Sequence, residues 1–110
     1  MDNRLAEQQL VFQFSPWGSD VQDFDRLVRL EDQLIEALAG QAEVDGHDMG
    51  SNEANVFVFA HDAPESFFKC LTVIERSGLL ALLAAGYRDV DHEVYTNVWP
   101  KPRTTPFSTK

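Results

Sequence analysis

The order of the apolar and turn-forming residues predicts an α+β fold with elements in the order β-α-β-β-α-β-β. Three observations carry this. Short runs of strand-forming residues occur at 9–14, 55–61 and 93–99. Apolar residues recur at helical spacing behind two capping signals, at 19–22 and 62–65. Gly, Pro, Asn and Asp punctuate the joints between these segments. With 110 residues, 44% of them hydrophobic, the chain suffices for one small core.

Each element has its own reason. Gln9–Phe14 places Leu10, Phe12 and Phe14 on one face of a half-buried strand, and Ser15-Pro16-Trp17-Gly18 then turns the chain. Ser19 with Gln22 forms a capping box for a first helix, along which Val21, Phe24, Leu27, Val28, Leu34, Ile35 and Leu38 recur before Gly40 stops it. Gln41–Met49 is a strand with mixed, mostly polar faces, followed by a turn at Gly50–Glu53. Asn55–His61 is apolar on both faces, as a central strand requires. Asp62 caps a second helix with Pro64 and Glu65 in its first turn. Phe67, Phe68, Leu71 and Ile74 form its buried stripe, Cys70 lies on or near that stripe, and Gly78 ends the helix.

Leu79–Ala85 fits helix or strand equally by period. Its latter part, with Gly86-Tyr87-Arg88, reads as a strand that turns around Asp89–His92 into a return strand, Glu93–Trp99, stopped by Pro100. Two helices on one face of a mainly antiparallel sheet make a two-layer sandwich of the ferredoxin-like kind. Residues 1–100 form this single domain, and 101–110 read as a basic, mobile terminus. The final hairpin adds an edge, through which a homodimeric scaffold could assemble.

Charge narrows the function. The chain carries 18 acids and 9 bases, and the last ten residues hold three of the bases and no acid. Residues 1–100 therefore hold 18 acids and 6 bases, a net charge of −12. Nine acids, from Glu31 to Glu65, lie between Arg29 and Lys69 with no Lys or Arg among them. Such a field repels nucleic acid and anionic lipid and attracts a basic protein. No run approaches the about 20 apolar residues of a membrane span, and the start Met1-Asp2-Asn3-Arg4 lacks the features of a signal peptide. A cytoplasmic domain is expected.

Chemistry-bearing motifs are scarce. Neither phosphate-binding glycine motif is present, so no nucleotide cofactor is implied. Asp45-Gly-His-Asp-Met-Gly50 keeps the sixth-position glycine of a calcium loop. His47 and Met49 stand at its third and fifth positions, however, and Val56 stands where a bidentate Glu is required. It is not an EF-hand.

His47 and His61 cannot share a metal ion. A turn at Gly50–Glu53 sets His47 opposite Val56 and His61 opposite Ala42, about 15 Å apart along the ladder at roughly 3.3 Å per residue. Cys70 on an apolar stripe reads as structural. Asp45 and Asp48 could do acid–base work only if burial shifted them. No catalytic residue, metal site or cofactor is therefore assigned. Alternation puts Tyr95 and Trp99 on one face of the last strand, and Phe57 and Phe59 join them on the open side if Val56 and Val58 face the helices.

Gly46-His-Asp-Met-Gly-Ser-Asn-Glu-Ala-Asn-Val-Phe-Val-Phe59, Ala63-Pro64, Tyr87-Arg88, Tyr95 and Trp99-Pro100 give residues 40–100 a look that resembles small acidic bacterial proteins of the immunity or toxin-neutralising kind. The resemblance implies a stoichiometric binder without chemistry of its own, and it transfers no functional residue. The expected contacts with a basic partner are Asp45, His47, Asp48, Asn52 and Glu53 around the turn, with Tyr95 and Trp99 as anchors. The alternative is a small enzyme or ligand-responsive regulator with a cleft beside the sheet.

Overall fold

A computed structural model describes residues 8–100, so the basic segment 101–110 lies outside the described residues. The elements are β1 (Gln8–Phe14), α1 (Val21–Leu38), β2 (Ala42–Gly50), β3 (Glu53–Ala60), α2 (Ala63–Arg76), a 3-10 turn (Leu80–Leu82), β4 (Leu83–Asp89) and β5 (Thr96–Trp99). The five strands form one antiparallel sheet in the order β2-β3-β1-β4-β5. Both helices cover the same face. Phe12 and Val56 pair across β1 and β3, Phe12 stacks on Phe67 of α2, and His47 opposite Val56 meets Glu31 of α1.

The core lies between these layers. Leu10, Phe12 and Phe14 from β1 and Val56 and Val58 from β3 meet Leu27, Leu30, Leu34 and Leu38 of α1 and Phe67, Cys70 and Ile74 of α2. Burial pushes the Cys70 thiol up to about 12, which keeps it protonated and unreactive.

Local departures from the sequence expectation have physical causes. The N-cap of α1 is Asp20, not Ser19. Asp20 Oδ1 accepts from the Asp23 amide at 2.9 Å, and Asp23 Oδ2 accepts from the Asp20 amide at 3.2 Å. Gly18 permits this, since a Cβ there would collide with the Asp23 carboxylate. Phe68 is 74% exposed. It follows Phe67 by one residue, or about 100° around the helix, so both rings cannot face the sheet. The ambiguous run after Gly78 divides into the 3-10 turn and the start of β4, where Leu83 pairs with Phe14. The return strand is shorter than expected, starting at Thr96 rather than Glu93, while the turn before it is tied by the Arg88 guanidinium, which donates to the carbonyls of Asp89, Val90 and His92.

Candidate protein-binding surface

α1 presents two stripes. Leu27, Leu30, Leu34 and Leu38 are buried against the sheet. Beside them Val21, Phe24 and Ile35 are 75%, 45% and 51% exposed, although all belong to the same apolar periodicity. The apolar sector of the helix is wider than the contact the sheet offers. The exposed stripe borders edge strand β2 through His47. Its Nδ1 lies 3.1 Å from Glu31 Oε1, so that nitrogen carries the proton and donates to the carboxylate. The His47 ring meets Phe24 edge-on at 5.8 Å between centroids. Asp25 and Asp32 are exposed on the same helix, and Asp45 is exposed on β2.

The expected contact residues do not form one patch. The β2–β3 register shifts between Val44 and Gly46, making Asp45 the extra residue of a bulge. His47 still pairs with Val56, as the turn predicts, but beyond the bulge Ala42 pairs with Ala60 rather than His61. His47 faces the helices, whereas Asp48 pairs with Asn55 on the opposite face. Asn52 sits in the turn at φ 66°, and its carbonyl accepts from the Trp17 amide at 3.0 Å. This ties the turn to the segment after β1.

Glu53 is 3% exposed, too buried for a contact at the rim. Asn55 Nδ2 donates to Glu53 Oε2 at 2.9 Å and to Asp48 Oδ1 at 3.0 Å. Sequence reasoning missed Asn55, whose position close to the turn was the available signal. Its Oδ1 is the buried side-chain atom among the described residues without a hydrogen-bond partner.

Tyr95 and Trp99 separate. Tyr95 is half-buried before β5, its hydroxyl donating to Gln9 Oε1 at 3.2 Å. Trp99 pairs with Ala85 and packs 6.1 Å from the Phe67 ring, on the helix-covered face. The β4–β5 register shifts between Ala85 and Gly86, which breaks the alternation that would have kept the two rings together. Phe57 and Phe59 are half-buried on the face away from the helices.

Among the described residues no group of three or more His, Cys, Asp or Glu is placed to hold a metal ion, and no helix is long and apolar enough to cross a membrane. Comparison of the chain with family models, curated proteins and solved structures finds no match.

Proposed function

We propose that this protein is a non-enzymatic binding module that masks a basic protein partner, in the manner of an inhibitor or immunity protein. The observation that carries this is the exposed Val21, Phe24 and Ile35 stripe beside the acid-bearing β2 edge. Apolar anchors within an acidic rim suit a partner with apolar anchors in a basic rim. The exposed carboxylates of Asp25, Asp32 and Asp45 are acceptors that Lys and Arg side chains meet with donors. Pairing of two β2 edges would instead bring the strand that carries Glu43, Asp45 and Asp48 against a second strand of the same negative charge, which disfavours a homodimer there. In the same reading the architecture is a ferredoxin-like sandwich with β5 added at one edge. Its support is the β4-β1-β3-β2 run of the sheet, with both helices on one face.

The test is capture from a native lysate with a salt ramp, using wild type, a Phe24→Asp/Ile35→Asp variant and a Phe68→Asp control. One basic protein held by wild type and control, lost with the stripe variant and released by moderate salt, is the expected result. Capture indifferent to the stripe overturns the proposal.

A further inference from the structure

The other flank of α1 has the opposite character. Five Lys and Arg residues occur in 8–100, namely Arg26, Arg29, Lys69, Arg76 and Arg88. Three of them line the groove between α1 and α2. One cavity of about 270 Å³ is bounded by Arg26, Arg29, Leu30, Gln33, Ser77 and Leu79. An adjoining one of about 380 Å³ shares Gln33 and Ser77 and adds Arg76, Val73 and Ala37, with Glu36 its one acid.

The polar groups are oriented. The Arg26 guanidinium lies 4.5 Å from the centroid of the Trp17 ring and 3.8 Å from Asp23 Oδ1. Arg29 and Arg76 form no ion pair among the described residues. Ser77 Oγ lies 2.9 Å from the Val73 carbonyl, to which it donates its proton, and 3.2 Å from the Gln33 side-chain amide, which it ties to the end of α2. Leu30 and Leu79 are buried and give the first cavity an apolar floor.

We propose that this groove binds a small organic anion, its phosphate or carboxylate group held by the arginines and its apolar body resting on Leu30 and Leu79. Arg forks match both oxyanions, and the volume suits a ligand at the small end of the usual range.

Phenyl phosphate, benzoate and inorganic phosphate are titrated into the full chain and followed by backbone and Arg Nε–H NMR shifts. Saturable shifts with phenyl phosphate or benzoate at Arg26, Arg29, Arg76, Gln33 and Ser77 are expected, and whichever binds more tightly identifies the preferred oxyanion. An Arg29→Gln/Arg76→Gln variant, its folding checked by circular dichroism, weakens binding about tenfold or more. Inorganic phosphate binding as tightly as both organic probes, shifts spread equally over Lys69 and Arg88, or no saturation overturns the proposal.

Discussion

The two flanks of α1 differ in charge and in what they lack. Toward β2 the helix shows Phe24 and Ile35 to solvent with acids nearby, and toward α2 it shows Arg26 and Arg29 above a groove. Both depend on the same buried row of leucines between them. One amphipathic helix can thus serve as scaffold for two surfaces of opposite sign, because residues three or four apart share a flank while the buried row keeps the flanks apart.

The largest expected effect breaks both surfaces together. Leu34 is fully buried, and Leu34→Ala should cost about 2–5 kcal/mol of stability, measured by urea unfolding. An unchanged midpoint would show that the leucine row does not support the flanks. A smaller effect separates them. Asp45→Lys reverses an exposed charge in the β2 bulge, so it should slow association with a basic partner and flatten its salt dependence in stopped-flow kinetics while leaving anion binding in the groove unchanged. Asp48→Lys should also lower stability, since it removes an acceptor for Asn55.

The smallest effect concerns the start of the helix. The Asp23 backbone N–H holds the Asp20 carboxyl below its ordinary value of 3.8. The unfolded chain therefore takes up this proton first as pH falls. The stabilisation is present above pH 3.8 and is lost as pH drops through the lowered folded value. Asp20→Asn keeps a good cap and should flatten that part of the acid limb in thermal melts; an identical limb would count against the capping role. Native Cys70 should resist iodoacetamide at about pH 8 and react only on unfolding, as mass spectrometry would show.

Much of the fold was legible in the sequence. The leucine spacing of α1, the Asp62 cap and the alternation of Leu10, Phe12 and Phe14 are local patterns with direct physical consequences. The β2–β3 turn was legible as well, which is why His47 opposite Val56 could be anticipated. The candidate site was much less so. Asp45, His47 and Asp48 are neighbours in sequence, but a bulge and the strand alternation send them in different directions. Trp99 moved to the helix side through a second register shift.

The sequence by itself determined the element order, the acidic field and the absence of nucleotide-binding motifs, since each depends on residue type and spacing along the chain. Only the tertiary structure decided which apolar residues stay exposed and where the arginines converge. Exposure depends on how much of a helix its neighbours can cover, and convergence depends on residues far apart in sequence, such as Arg29 and Ser77, meeting across two helices.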